Sequence, residues 1–334
     1  MGYSNICAYP GCSSPVWVDS DGNPSLCCSR KHMKALSDSG PSTPLCQNCN
    51  TRPVFVEHGK VHPFCSRKCA NAYDQGPQME PVQQDEGELC LLCGQSSKCV
   101  VDGKVSDFCS ISCRETVYEA APVLLEVPST DEQFQEIADL FRAKWLHPPS
   151  KKKPYPGKVL KLYKVYSHGD HMRKFRAYKA QKHNARRRWH GTTRRCCLGD
   201  DEDSVNFCSD PGCAVCGILR NSFRVDKAKA SSAMAAGGSF QRFGVGIYTS
   251  ATSSKSYDYI KELGGSPYKA MILSEVVMGK VCKVTHEEQG LIRAPPGYDS
   301  VVGEPNITVN YDEAVVYTDH AIRPEYLLIF EPGV

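Results

Sequence analysis

The sequence predicts an α+β protein in which three small metal-organised modules precede one strand-dominated domain. Three observations carry this. Cys46, Cys49, Cys65 and Cys69 share the spacing C-x₂-C-x₁₅-C-x₃-C with Cys90, Cys93, Cys109 and Cys113. Cys7, Cys12, Cys28 and His32 form a third set with the same fifteen-residue gap between the inner ligands. Beyond residue 150 the apolar pattern alternates, as strands do, and a single helical period precedes it.

Each module reads as a metal knuckle, a hairpin and a helix start. In the second, Cys46-Gln-Asn-Cys49 is the knuckle, Pro53–Val56 a strand, His58-Gly59-Lys60 the turn, and Phe64–Cys69 opens a helix. The third repeats this with Cys99–Val101, Asp102-Gly103-Lys104 and Phe108–Cys113, and Asp-Gly is a strong hairpin signal. The arrangement resembles treble-clef zinc fingers. About 30 residues bury too little apolar surface to offset chain entropy, so thiolate–zinc bonds would supply the folding energy. Cys27 and Cys99 fall outside the pattern and read as ordinary half-buried thiols. The modules are bounded at 1–38, 43–76 and 87–120.

Residues 74–88, rich in Gln, Pro and acids, read as a connector, and a second boundary is expected across 121–129. The second domain then spans 129–334. Ser129-Thr130-Asp131-Glu132 supplies an N-cap with acids in the first turn, and Phe134, Ile137, Ala138, Phe141 and Trp145 recur at helical spacing before His147-Pro148-Pro149. Val159–Tyr166, Tyr268–Val277 and Leu327–Phe330 read as strands.

Composition narrows the class. The 19 cysteines sit in ligand-like sets and no signal-like apolar run opens the chain, so a reducing compartment, nucleus or cytoplasm, is expected rather than secretion. No stretch approaches the roughly 18 apolar residues of a membrane span, and a monomer is expected. The net charge of +3 hides an uneven distribution. Residues 151–195 hold 16 Lys/Arg against one acid, Asp170, while residues 1–127 hold 10 against 14 acids. Such a belt would attract a nucleic acid or another polyanion, and the acidic finger region favours a protein partner.

Function enters through four blocks. Arg188-Trp189-His190-Gly191-Thr192 ends the basic belt; Phe243-Gly244-Val245-Gly246-Ile247-Tyr248-Thr249-Ser250 follows; Tyr259 lies eleven residues after Tyr248 with Lys255-Ser256 between; and Tyr311-Asp312-Glu313-Ala314-Val315-Val316-Tyr317 stands near the C-terminus. In this order they resemble the catalytic domain of the poly(ADP-ribose) polymerase family, over residues 129–334. The resemblance implies an NAD-dependent ADP-ribosyltransferase with the triad His190, Tyr248 and Glu313. It places NAD, the substrate, against His190, Gly191, Thr192, Arg224, Tyr248, Ser256 and Tyr259. His190 would bond the adenosine-side ribose, while Gly191 and Ser256 would hold the nicotinamide carboxamide between the rings of Tyr248 and Tyr259. Glu313 would stabilise positive charge developing on the ribose and polarise the acceptor. The segment 226–241 falls where the family carries its loop over NAD.

Two departures stand out. The helical regulatory subdomain that often precedes the family's core has no room here, since one helix separates the modules from the first strand, so no helical unfolding step is expected on activation. A cysteine-rich insertion, Cys196, Cys197, Cys208, Cys213 and Cys216, follows the triad histidine. It resembles fungal members of the family, which implies a fourth zinc site with Cys196, Cys208, Cys213 and Cys216 as ligands and Cys197 as spectator. A glutamate at the third triad position is compatible with chain elongation, so polymer formation is taken slightly ahead of mono-transfer, onto protein or nucleic-acid acceptors. The other reading is a catalytically silent zinc-finger adaptor that binds NAD, ADP-ribose or a protein partner. Asn306-Ile307-Thr308 reads as an accidental glycosylation match, and Cys282 invites no role.

Overall fold

The computed structural model describes residues 7, 12–17, 25, 27–38, 46, 54–57, 60–74, 88–150, 155–228, 242–305 and 311–333. The chain divides into two compact units, one of residues 1–83 with 99–106 and one of 84–98 with 107–334. The first unit holds helices at Arg30–Asp38 and Arg67–Asp74 and two short hairpins. In one hairpin Val56 faces Val61. In the other Val100 faces Val105 across Asp102 and Gly103, which take φ of 51° and 71°. Two successive positive φ values are what a two-residue hairpin turn needs, and Asp-Gly tolerates them.

The second unit is built on a five-stranded antiparallel sheet. Its strands are β1 (Val123–Val127), β2 (Val159–Tyr166), β3 (Ala185–His190), β5 (Lys269–Val277) and β9 (Ile322–Phe330). They lie in the order β1-β2-β9-β5-β3. The inner strands are buried on both faces, and their alternation sorts side chains into two cores. Met271, Leu273, Tyr326, Leu328 and Phe330 point to one, and Ala270, Ile272, Leu327 and Ile329 to the other.

The first core is closed by α2 (Glu132–Ala143), whose Phe134, Ile137, Ala138 and Phe141 pack against it. Burying each of the larger three contributes roughly 1.5–3 kcal/mol. Asp131 caps this helix, accepting the Gln133 N–H at 2.9 Å. The second core is closed by α4 (Ala214–Asn221) and by a four-stranded sheet. That sheet comprises β4 (Ile247–Thr249), β6 (Val281–Val284), β7 (Ser300–Gly303) and β8 (Glu313–Val316). Its order is β6-β7-β8-β4, with β6 and β7 parallel.

The boundary expected across 121–129 falls on a strand: β1 pairs along β2, Val123 opposite Tyr166 and Val127 opposite Leu162, as the edge of the sheet. The basic belt carries, besides its strands, an element that the apolar pattern does not mark. It contains the fourteen-residue helix α3 (Gly169–Lys182), which buries only Phe175 and so shows little apolar periodicity. Asp170 in its first turn and Lys179 and Lys182 in its last suit the helix dipole. Among the described residues no helix is long and apolar enough to cross a membrane. Asn306-Ile307-Thr308, residues 229–241 and Cys49 lie outside the described residues.

The Cys90–Cys93–Cys109–Cys113 quartet belongs to the second unit. Lys98, its side chain 1% exposed, bonds both Asp131 and Glu88, and Glu88 accepts the Glu132 N–H. Asp107 accepts from Lys164 at 2.6 Å and from the Tyr166 hydroxyl at 2.8 Å. Burial acts to raise the Asp107 carboxyl, but Lys164 and these bonds hold it below its ordinary value. Phe108, Val117 and Tyr166 complete the contact as a small core.

Candidate active site

Three neighbouring strands bring His190, Tyr248 and Glu313 together. His190 ends β3, and the residue before it, Trp189, exchanges two backbone hydrogen bonds with Ser250, at 2.7 and 3.0 Å, just past β4. Tyr248 lies within β4 opposite Val315 of β8, and Glu313 opens β8. His190 Nδ1 is 2.8 Å from the Tyr248 carbonyl oxygen. A carbonyl only accepts, so Nδ1 carries the proton and Nε2 remains an acceptor. Burial holds this histidine below its ordinary pKa, against the opposing bond to Tyr248. Phe223 packs edge-on against its ring, with centroids 5.0 Å apart.

The Tyr248 hydroxyl accepts the Phe243 N–H at 3.0 Å and donates to the Gly244 carbonyl at 2.8 Å. It is committed to the backbone, which leaves the ring to do the contacting. Gly244 has φ of +69°, and a Cβ there would stand 1.8 Å from the Leu291 carbonyl oxygen, so the turn admits only glycine. Glu313 is 5% exposed. Its Oε1 lies 2.9 Å from Lys255 Nζ and accepts from the Tyr259 hydroxyl at 3.3 Å.

Lys255 is the site residue that the sequence reading missed. In sequence it stands out only as the neighbour of Ser256. Its place in the short helix α5 (Ser253–Tyr257) puts it over the Tyr259 ring and onto Glu313. Burial tends to depress the lysine, yet its bond to Glu313 raises it above its ordinary value. The ammonium therefore stays charged beside the carboxylate.

The remaining expected NAD contacts differ in readiness. Gly191 touches the α5 backbone so closely that a Cβ would lie 1.9 Å from Ser256 O. The Ser256 hydroxyl donates to the Trp189 carbonyl at 3.0 Å, and the Thr192 carbonyl accepts the Lys261 N–H at 3.2 Å. Arg224 is half exposed and pairs with Asp226 at 2.8 Å and with Asp319 at 3.7 Å.

Most described cations of the basic belt have acidic partners within the fold. Lys161 pairs with Glu126, Lys164 with Asp107, Lys179 with Glu275 and Lys182 with Asp299. Arg187 pairs with Glu136 and Glu325, Arg188 with Asp312, and Arg194 with Glu262 and Asp200. Among the described residues, much of the charge of this run is thus paired with acids from elsewhere in the chain.

The cysteine sets converge. Ligand atoms of Cys7, Cys12, Cys28 and His32, of Cys90, Cys93, Cys109 and Cys113, of Cys196, Cys208, Cys213 and Cys216, and of Cys46, Cys65 and Cys69 each lie within 4.8 Å of one another. Four sulfurs about 2.3 Å from one zinc at tetrahedral angles stand about 3.8 Å apart. The observed Sγ–Sγ distances are 3.7 Å for Cys93–Cys109, 3.7 Å for Cys109–Cys113, 3.7 Å for Cys196–Cys213 and 3.6 Å for Cys196–Cys216. A bond from Cys216, helped by the Arg195 N–H, lowers Cys213 to about 4, so one thiol of the fourth set ionises readily. These donor sets fit zinc. Cys197 is exposed and turns its sulfur toward the Gly264 carbonyl instead.

Part of the chain around this site is similar to known proteins. Residues 205–308 match the family model of the poly(ADP-ribose) polymerase catalytic domain. The match takes in Tyr248, Ser256 and Tyr259 and stops short of His190 and Glu313. The Xenopus laevis protein named Poly [ADP-ribose] polymerase 1 is 28% identical over 164 residues, 47% of this chain and 14% of that protein. Two proteins named Protein mono-ADP-ribosyltransferase PARP4 are also similar. The human one is 32% identical over 96 residues, covering 27% of this chain and 6% of its own length. The mouse one is 35% identical over 98 residues, covering 27% and 5%. The chain thus spans a small part of each of these relatives. What the comparisons establish is that residues 205–308 are similar to a poly(ADP-ribose) polymerase catalytic domain.

Proposed function

We propose that this protein transfers ADP-ribose from NAD to protein or nucleic-acid acceptors, with elongation into polymer ahead of single transfer, in a nuclear or cytoplasmic setting. The observation that carries the reading is the buried Glu313 carboxylate, held by Lys255 and Tyr259 on the strand beside Tyr248 and His190. A buried carboxylate is costly unless it is paired or used. This one is paired on Oε1, at the place where the resemblance puts the reacting ribose.

In this reading His190 Nε2 accepts a hydroxyl of the adenosine-side ribose, because Nδ1–H is already given to Tyr248 O. Gly191 offers its backbone to the carboxamide, and Tyr248 and Tyr259 flank the nicotinamide ring. The bond between ribose and nicotinamide breaks with its electron pair leaving on nicotinamide. Glu313 faces the positive charge that develops on the sugar and draws the proton from the attacking acceptor oxygen. Lys255 keeps that carboxylate oriented. Arg224 contributes once it leaves Asp226. The modules at 1–38, 43–76 and 87–120 stand for the metal sets, with zinc in all four sets, and the transferase domain from 129 is extended back to take in β1.

The test is incubation of zinc-loaded protein with labelled NAD beside Glu313→Gln, with products sized and digested to count ADP-ribose units. A size-dispersed product lost in the variant supports polymer formation, and a discrete band assigns single transfer. NAD binding without label in the wild type overturns the enzyme reading in favour of a binding adaptor.

A further inference from the structure

Glu313 is flanked in sequence by a second carboxylate whose bonds run to β3 and to the segment that follows β4. Asp312 bonds the Arg188 guanidinium through Oδ2. Both of its oxygens accept from the Ala251 N–H, at 3.2 and 3.1 Å. Thr252 Oγ1 lies 3.4 Å from Oδ1. Ser250 Oγ stands 2.8 Å from the Asp312 carbonyl oxygen and 3.1 Å from its Oδ1. Arg188 precedes His190 by two residues on β3 and therefore shares its face. Ser250 follows Tyr248 by two residues, and Asp312 directly precedes Glu313.

We propose that Arg188 and Asp312 form a positioning pair that fixes Glu313 relative to His190 and Tyr248. The proposal rests on the transferase reading above. Neither residue touches the three side chains directly; the pair sets the backbone from which they project. Three features support this role over a surface ion pair. The side chains are only 13% and 20% exposed. Arg188 Nε is buried with no hydrogen-bond partner, so its charge is compensated chiefly through Asp312. And the carboxylate also takes a backbone N–H from the loop between β4 and α5, the helix that carries Lys255 and Ser256. A displacement of about 1 Å at a reacting group can cost a hundredfold in rate, so a node joining these elements acts on turnover more than on NAD affinity.

Asp312→Asn and Arg188→Met are compared with wild type in the full zinc-loaded chain, with the paired variant Arg188→Met/Asp312→Asn and the milder Ser250→Ala. The expected result is a fall in kcat of tenfold or more for each of the first two, with KM for NAD within threefold. The paired variant should lose less than the product of the single losses. Amide exchange at Ala251 should accelerate at least tenfold in Asp312→Asn. Unchanged exchange there overturns the proposal whatever the activity. A kcat within twofold of wild type in the folded single variants overturns it as well, as does a KM effect alone. Should the single variants fail to fold, Ser250→Ala and the paired variant decide by the same split. The exchange readout needs no turnover, so a wild type that fails to label NAD counts against the transferase reading and leaves this test standing.

Discussion

Replacing Lys98 by methionine should loosen the N-terminus of α2. Lys98 and Asp131 are 1% and 3% exposed at their side chains, and the lysine is shared with Glu88. Methionine conserves the stem of the side chain and removes the charge, leaving the Asp131 carboxylate buried with the Gln133 N–H bond. Breaking a buried ion pair by deleting one partner costs about 3–5 kcal/mol. The surviving cap bond and the partial exposure of Glu88 argue for the lower end, about 3 kcal/mol. Because the chain has two units, a single melting temperature is a poor reporter, and amide exchange across Glu132–Ala143 is the better assay. At 1.4 kcal/mol per factor of ten, protection in this helix should fall by about a hundredfold. Adding Asp131→Asn should recover much of the loss by removing the stranded charge. A change under threefold in Lys98→Met would refute the reasoning, since it would mean that water reaches the pair.

Further outcomes follow from the site. Lys255→Met should lower kcat by about tenfold or more with little change in NAD affinity, because it removes a charge-assisted bond to Glu313 made at 2.9 Å; steady-state kinetics separate the two effects. Cys213→Ala should remove one zinc per chain by metal analysis and weaken NAD binding, since the Arg195 N–H bonds this sulfur at 3.3 Å just after the Gly191–Thr192 segment. Full metal content with full activity would remove the fourth site. The depressed pKa of His190 means that NAD affinity should stay level as pH falls from 8 through the ordinary histidine value of about 6.5 and drop only below it, as protonation turns the Nε2 acceptor into a donor. The same burial makes the free protein lose stability as pH falls below about 6.5, where an unfolded histidine takes up a proton that the folded one resists. Calorimetric titration of NAD across this range measures the first effect, and denaturant unfolding the second.

Local pattern made some parts of this molecule readable and long-range pairing hid others. Val159–Tyr166 is a strand at the residues where its alternation starts and stops, and α2 begins within the expected Ser129–Glu132 stretch, with Asp131 as the cap and Glu132 alone as the acid of the first turn. The strand ending at Phe330 is longer than the apolar run, beginning at Ile322, because Arg323 and Glu325 lie within it as paired charges. Helix α3 escaped notice because a helix that buries one aromatic has almost no stripe to find. Charge pairing was hidden in the same way. Several of the sixteen cations in residues 151–195 have partners, Glu126, Glu136, Asp299 and Asp312, that lie scattered through the rest of the chain. At the site, His190, Tyr248, Tyr259 and Glu313 were legible only through the resemblance of their sequence blocks to a known family. The Lys255–Glu313 bond spans residues that no local pattern connects.

The edge strand β1 bears on how the transferase domain can be handled in isolation. A fragment cut at Ser129 would lose Val123–Val127, stripping the backbone partners from β2. It would also lose Asp107 and Phe108, which cover Lys164 and Tyr166. An apolar strand left with unpaired N–H and C=O groups is a template for another chain. Such a fragment should self-associate during purification, and its low yield of active monomer would be mistaken for a missing activator. Beginning at residue 84 would keep the strand covered and the last N-terminal quartet in place.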